Sequence, residues 1–160
     1  MRENEAAFRA DMRDRMKRYL ERREQVGDTL AREELMDGYP ARQRACMDPY
    51  LETNDTLTGA IGGVLPLFEE QLGLQEEVVD CSNSETEMTI CIMRTCLCRA
   101  AGQDLGIDDP PVLHCELSAA ATSRAYPDID AEVVLRQVRG SHVCSIRYTR
   151  PAAPQRRSDP

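Results

Sequence analysis

The chain has 160 residues and a formal net charge of −8 at pH 7. A chain of this length fits one domain that buries roughly two thirds of its unfolded surface, so folding needs no disulfides. The acidic charge repels nucleic-acid phosphates and anionic membrane surfaces, which disfavours both as main partners. A neutral or cationic small molecule is easier to accommodate.

The N-terminal residues lack the apolar segment of a signal peptide, and no stretch approaches the roughly 18 apolar residues of a membrane span. The sequence therefore predicts a cytoplasmic protein without membrane contact. Seven cysteines are present. An odd number in a reducing compartment disfavours a disulfide framework and leaves three interpretations for each cysteine: buried thiol, metal ligand or nucleophile.

Residues 4 to about 36 carry apolar side chains at three-and-four spacing with charges between them, which predicts one amphipathic helix. Arg23 interrupts the apolar stripe. This helix should therefore lie on the domain or on a dimer partner instead of forming a long coiled coil. Gly38 and Pro40 are expected to end it.

Two shorter helices are predicted next, from Ala41 to Leu51 and from residues 56 to 73, with Gly73 as the C-terminal stop. Gly62, Gly63 and Pro66 lie inside the second of these helices. They indicate a bend or a close approach of another segment.

From Glu77 the apolar pattern alternates, which predicts two strands joined by the polar loop 81–85 as a hairpin. A short helix is expected from Cys96 to Leu105. A longer one should run from Pro111 to Tyr126, with Asp109 as its N-terminal cap.

Two final strands, Ala131–Arg139 and His142–Arg150, should be joined by a tight turn at residues 140–141. The order of elements predicts an α+β fold, with N-terminal helices packed on a small antiparallel sheet with two further short helices. We expect a single domain over residues 1–150, helical over 1–73 and mixed over 77–150, and a disordered tail over 151–160.

Reactive side chains concentrate in the second half. Cys115 lies in the first turns of a predicted helix, where free N–H groups and the helix dipole lower a thiol pKa. Ser118 and Thr122 share its face and are expected to line a substrate pocket with it. His114 and Glu116 flank the thiol and are candidates for the catalytic acid or base.

Cys96 follows a strand end, and its Cys-x-Cys spacing is a weak signal for a metal site. Cys144 should face the core, either as an inert thiol or as part of a site, and His142 beside it is a candidate substrate contact. A set of Cys96, Cys115, Cys144 and Glu116 would suit zinc chemically, although no spacing requires these residues to meet.

Four segments are similar to the L-2-amino-thiazoline-4-carboxylate hydrolase family: residues 90–96, 105–106, 115–118 and 140–148. The resemblance covers roughly residues 88 to 150. It implies hydrolysis of a carbon–nitrogen bond in a small cyclic amidine-like ring, with a cysteine as attacking group and no obligatory cofactor. The implicated positions are Cys96, Cys115 and Cys144.

Two positions depart from the family pattern. Ser118 stands where the family has aspartate, and Leu97 where proline is usual. Since a serine cannot act as a carboxylate base near neutral pH, water activation would have to use Glu116 instead. The resemblance therefore implies a divergent member that opens, forms or isomerises another strained or electrophilic small ring in specialised metabolism.

The leading hypothesis is a cysteine-dependent small-molecule enzyme in which Cys115 attacks, Glu116 or a histidine moves protons, and Cys96 and Cys144 line the pocket. Oxyanion donors would come from the start of the 111–126 helix. The alternative is a small-molecule-binding domain similar to 4-vinyl-reductase-type domains, with a zinc site. A third interpretation is a scaffold that forms a homodimer through the N-terminal helix.

Overall fold

The computed structural model describes residues 3–152, which form helices and an antiparallel sheet in an α+β fold. This confirms the predicted fold class. In chain order the elements are α1 (Glu3–Val26), α2 (Asp28–Met36), α3 (Tyr39–Thr53), α4 (Leu57–Leu72), β1 (Glu76–Asp80), β2 (Thr86–Met93), α5 (Leu97–Asp104), α6 (Leu113–Ala125), β3 (Asp130–Leu135), a 3-10 turn (Gln137–Arg139) and β4 (Cys144–Pro151).

The sheet has the strand order β1-β2-β4-β3, and every neighbouring pair is antiparallel. On one face of the central strands, Cys91 pairs with Ile146 and Met93 with Cys144, and all four side chains are buried. Successive side chains of a strand point to opposite faces, so this buried set marks the side on which the helices pack. The pairing brings Cys144 next to Met93 at the end of β2, and Cys96 follows three residues later in the chain.

The predicted helix over residues 4–36 is wrong in one respect, because the chain breaks at Gly27 into α1 and α2. Gly27 has φ +85°, a conformation that glycine adopts without the cost a Cβ would bring. The break folds α2 back onto α1, where the Tyr19 hydroxyl donates a hydrogen bond to Asp28. The apolar stripe of α1 is therefore covered by the chain itself, and Met12, Met16 and Tyr19 are buried.

The close approach predicted inside the fourth helix is confirmed at Gly63. A Cβ at this position would lie 2.5 Å from Cδ1 of Tyr50 on α3. The absent side chain lets α3 and α4 pack tightly against each other, and Gly73 ends α4 in the left-handed conformation, as expected.

The start of α6 differs from the prediction. The helix begins at Leu113 after Val112, and Asp109 pairs with Arg139 instead of capping it. Pro110 and Pro111 explain the delay, since a residue before proline is disfavoured in the helical region and the chain stays extended there.

The connection between the last two strands also differs from the predicted turn at residues 140–141. β3 ends at Leu135, a 3-10 turn follows, and β4 begins only at Cys144. A register shift between Val133 and Leu135 precedes this longer link. The link turns Gln137 inward, where it is 9 % exposed.

Strand β4 includes Pro151, so the predicted disordered tail is wrong at residue 151, and the rest of that prediction falls on residues 153–160, outside the described part of the chain. Among the helices of residues 3–152, none combines the length and apolar character needed to cross a bilayer.

Candidate functional site

The three cysteines singled out in the sequence come together in the core, and a fourth joins them. The thiols of Cys96 and Cys115 lie close enough to Cys144 to act on its pKa as hydrogen-bond donors, and Cys98 lies close enough for its charge to affect the pKa values of Cys96 and Cys115. The most exposed of the four is Cys96, at 8 %. We call this group, Cys96, Cys98, Cys115 and Cys144, the sulfur cluster.

Local backbone structure aims N–H groups at the sulfurs. Cys96 is the N-cap of α5, and its Sγ accepts from the Arg99 amide at 3.4 Å, in the role usually taken by a serine or aspartate oxygen. The Sγ of Cys98 accepts from the His114 amide in the first turn of α6 at 3.4 Å. Such first-turn amides have no partner within their own helix, so sulfur satisfies a group that would otherwise lack one.

Cys144 is the sulfur best placed to carry a negative charge. Hydrogen bonds from Cys115 and Cys96, the Gln137 amide at 3.4 Å and the charge of Arg136 hold the pKa of Cys144 well below its usual range, against the opposing effect of burial. The donors in turn keep their protons, and the pKa values of Cys96 and Cys115 are raised by bonding to Cys144 and by burial. The three thiols therefore titrate as a coupled group, in which the surrounding donors and the charge of Arg136 favour the thiolate on Cys144.

This corrects the expectation that the start of α6 lowers the pKa of Cys115. The pKa of Cys115 is raised, because its thiol acts as a hydrogen-bond donor to Cys144 and because the residue is only 6 % exposed. On its other side the Cys115 sulfur is 4.0 Å from the sulfur of Met93.

Glu116 is not free to act as a base beside the cluster. Its two carboxylate oxygens accept from Arg32 of α2 and from Arg136, each at 3.0 Å. The carboxylate thus ties α2 and the 3-10 link to α6, and protonating it would break an ion pair.

A wide cleft of about 980 Å³ opens on the surface next to the cluster. Its wall includes Arg94, Arg99 and His142, and a substrate contact by His142 stays a prediction. Gln137 also lines the cleft and separates it from Cys144. The Gln137 amide nitrogen Nε2 donates to the carbonyls of Arg94 at 2.8 Å and His142 at 2.9 Å.

The remaining predicted residues lie on the other side of α6, around a separate cavity of about 100 Å³. His114 and Ser118 line it, whereas Thr122 is fully buried beside it and accepts from Gln43 at 3.0 Å. The expected shared pocket of Cys115 and Ser118 is therefore divided, and Met93 contributes to the wall between the two halves.

His114 is unusual in this cavity because its Nδ1 atom is buried and has no hydrogen-bond partner. The ring packs edge-on against Phe8, with centroids 5.4 Å apart. Burial lowers the pKa of His114 from 6.5 to about 4, with Arg15 adding to the effect, so the imidazole is neutral near neutral pH.

Sequence reasoning missed the other polar groups of this cavity. Glu76 at the start of β1 accepts from the Cys91 thiol at 3.2 Å, and burial raises the pKa of both groups. The sequence did offer a signal for Glu76. It lies two residues before Val78, so both side chains point to the same side of the predicted strand, where an apolar residue is expected. Tyr148 gave the same signal, because it lies on the same side of β4 as the apolar Ile146.

Zinc is the metal ion that a set of cysteine thiols would suit chemically. Within residues 3–152, no group of three or more histidine, cysteine or acidic side chains is positioned to hold a metal ion. The cluster cysteines are free thiols, and Cys96 and Cys115 act as hydrogen-bond donors to Cys144 and not as metal ligands.

Comparison with known proteins adds no relative. No protein-family model matches the chain, and neither the curated proteins nor the solved structures contain a significant match.

Proposed function

We propose that this protein is a cysteine-dependent enzyme that acts on a small molecule, hydrolase-like at a carbon–nitrogen bond or another strained or cyclic electrophile. The observation that carries the proposal is the set of groups around Cys144: its sulfur accepts from the backbone amide of Gln137, the thiols of Cys96 and Cys115 act as further donors, and the charge of Arg136 favours a thiolate. A buried anion needs such donors, and a thiolate is the form of cysteine that attacks carbon.

The chemistry uses the cluster as a unit. The Cys144 thiolate attacks an electrophilic carbon doubly bonded to nitrogen, and a neighbouring thiol, from Cys96 or Cys115, supplies the proton that the nitrogen gains. Water then displaces the sulfur: the carbon gains a hydroxyl, the carbon–sulfur bond breaks to regenerate the Cys144 thiolate, and a water proton returns to the neighbouring thiol. The hydroxyl proton then moves to the nitrogen as the carbon–nitrogen bond breaks, which leaves a carbonyl and an amine. In this scheme Cys115 is a proton donor, and the nucleophile is the cysteine on β4.

The substrate enters from the wide cleft, because Cys96 is the most exposed of the four sulfurs and Gln137 borders both cleft and cluster. The charged side chains of this wall are those of Arg94, Arg99 and Asp108. Arg94 is already paired with Glu77 at 2.7 Å. Arg99 has no ion-pair partner among the described residues, which favours a substrate with a polar or anionic substituent.

The first test is native labelling with iodoacetamide from about pH 5 to 9, with each cysteine quantified by peptide mass spectrometry. We expect a member of the sulfur cluster to react below the pH at which the exposed Cys81 reacts. Four cluster cysteines that stay unlabelled until denaturation, while Cys81 reacts, would refute the nucleophile.

A second test screens small-ring electrophiles for a covalent adduct by intact mass. Cys144→Ser should lose the adduct, because a serine hydroxyl is not ionised at neutral pH. Cys91→Ser is the matched control, since Cys91 is also buried on the central strands but lies outside the cluster. An adduct that persists in Cys144→Ser would assign the attack to another residue.

The alternative function is a small-molecule-binding domain with a zinc site, and the three backbone N–H groups on sulfurs favour it, because such bonds also stabilise metal-bound thiolates. Zinc near one equivalent in protein purified without added metal would support this alternative. Zinc binding would also require Cys96 and Cys115 to lose the protons that they donate toward Cys144, because a metal-bound cysteine is a thiolate.

We place the protein in the cytoplasm, because all seven cysteines are free thiols and a reducing compartment keeps them so. A homodimer through α1 would have to use the polar face of that helix, since its apolar face is internal. Light scattering after size-exclusion chromatography tests this.

A further inference from the structure

The cavity between α3, α4, α6 and the sheet is chemically different from the sulfur cluster. Two of the five tyrosines and one of the two phenylalanines in the chain line it: Tyr39, Tyr148 and Phe68. None of the four cluster cysteines takes part in its wall. Its volume of about 100 Å³ holds roughly three waters or a molecule of three to four heavy atoms.

Glu76 is the only acidic side chain in the wall of this cavity, and no cationic side chain among the described residues pairs with it. Its one hydrogen bond comes from the Cys91 thiol, a weak donor. A carboxyl group in such surroundings is stabilised by any positive charge that enters the cavity.

Two further features of the wall suit a cation that carries N–H groups. The unpartnered Nδ1 of His114 accepts a hydrogen bond in the tautomer that carries its proton on Nε2. Aromatic faces attract cations, and Phe68 and Tyr148 are available for this purpose. Tyr39 already has cationic partners. The Arg42 guanidinium lies over its ring, 4.4 Å from the centroid, and Arg15 donates a hydrogen bond to its hydroxyl.

The charge of Arg15 disfavours a positive charge at His114 and that of Asp11 favours one, so the two oppose each other at the cavity wall. Arg15 forms an ion pair with Asp11 at 2.9 Å, and neither Arg15 nor Arg42 belongs to the cavity wall. The net charge of −8 attracts cations to the molecule as a whole.

We propose that this cavity is a second binding site, which takes a small primary ammonium ion between Glu76, His114 and the rings of Phe68 and Tyr148. The ammonium group donates to the Glu76 carboxylate and to Nδ1 of His114. Its short alkyl chain lies along the apolar wall toward α4, where a smaller cavity lined by Ile61 and Val64 adjoins.

The test compares three probes with four heavy atoms each and different charge: propylammonium, 1-propanol and acetate. They are titrated into the full chain at about pH 8, where a primary amine is still protonated because its pKa is about 10.4. Binding is followed by the backbone amide resonances of Cys91 and Ser118. We expect propylammonium to bind at least about tenfold more tightly than 1-propanol, and acetate not to bind.

Glu76→Gln should reduce the affinity for propylammonium to that for 1-propanol and leave 1-propanol unchanged. Glu85→Gln, at an exposed turn, is the matched control and should keep the wild-type preference. Should Glu76→Gln fail to fold, Phe68→Leu gives a second measure, since it removes an aromatic face and keeps the carboxyl group. It should weaken the cation severalfold more than the alcohol.

Three outcomes would overturn the proposal: equal affinity for propylammonium and 1-propanol, no movement of the two resonances, or an unchanged preference in Glu76→Gln. Cys144→Ser should leave cation binding intact, because the cavity does not use the cluster. Failure of the thiol chemistry and failure of this site are therefore distinguishable.

Discussion

The hydrogen bond from Cys115 to Cys144 leads to a quantitative prediction for the Cys115→Ala variant. A hydrogen bond to a charged group contributes about 1.5 to 3 kcal/mol, and one pKa unit corresponds to about 1.36 kcal/mol. Removing the Cys115 thiol should therefore raise the pKa of Cys144 by about one to two units. The vacated space is that of one buried sulfur, which costs about 1 kcal/mol of folding free energy.

The assay is the pH dependence of iodoacetamide labelling at the Cys144 peptide, with thermal unfolding as a check that the variant folds. Cys115→Ser is the matched control, because a serine hydroxyl can still donate to the thiolate and should preserve part of the shift. A folded Cys115→Ala variant with the wild-type midpoint would show that Cys115 does not hold the charge on Cys144.

Three further variants test the cavity, the cleft and the helix packing. Burial lowers the pKa of His114 from 6.5 to about 4, so its unfolded form takes up a proton first and stability should fall as the pH drops through this range. The free energy of unfolding, measured with urea, should fall by about 3 kcal/mol between neutral pH and pH values below 4, and His114→Gln should remove this loss. An equal pH dependence in the wild type and in His114→Gln would contradict the burial of His114. Gln137→Ala should speed labelling of Cys144 and cost about 1 to 3 kcal/mol, because two carbonyls lose their donor; unchanged labelling would indicate another entrance. Gly63→Ala should lower stability by about 1 to 3 kcal/mol in thermal unfolding, because its Cβ meets a ring, whereas Gly62→Ala, with nothing within 4 Å of its Cβ, should be neutral or stabilising.

Elements with a local cause were predictable from the sequence. The hairpin of β1 and β2 follows from two alternating runs around a polar loop, and α4 follows from its apolar spacing and its terminal Gly73. The break at Gly27 was not predictable in this way. Glycine inside a helical pattern is tolerated, and the contacts that favour the break, such as Tyr19 with Asp28, become visible only once α2 folds back.

The site was predictable only as a list of residues. That Cys96, Cys115 and Cys144 meet depends on the pairing of β2 with β4, which sets Met93 opposite Cys144, and no local pattern encodes strand order. For the same reason Glu116 looked like a free carboxylate. Its partners Arg32 and Arg136 come from distant parts of the chain.

The lowered pKa of Cys144 inside an acidic protein requires an explanation, since the surplus of acidic over basic side chains opposes a negative charge on its sulfur. Exposed charges act through water and salt, and beyond a screening length of about 8 Å they contribute little. Donors in direct contact act at low dielectric, where a unit charge about 4 Å away is worth several times more than in water. The Gln137 amide and the two thiols are of this second kind, and the charge of Arg136 adds to their effect. The charge state of Cys144 is therefore set by its immediate contacts, and an acidic surface and a buried thiolate are compatible in the same molecule.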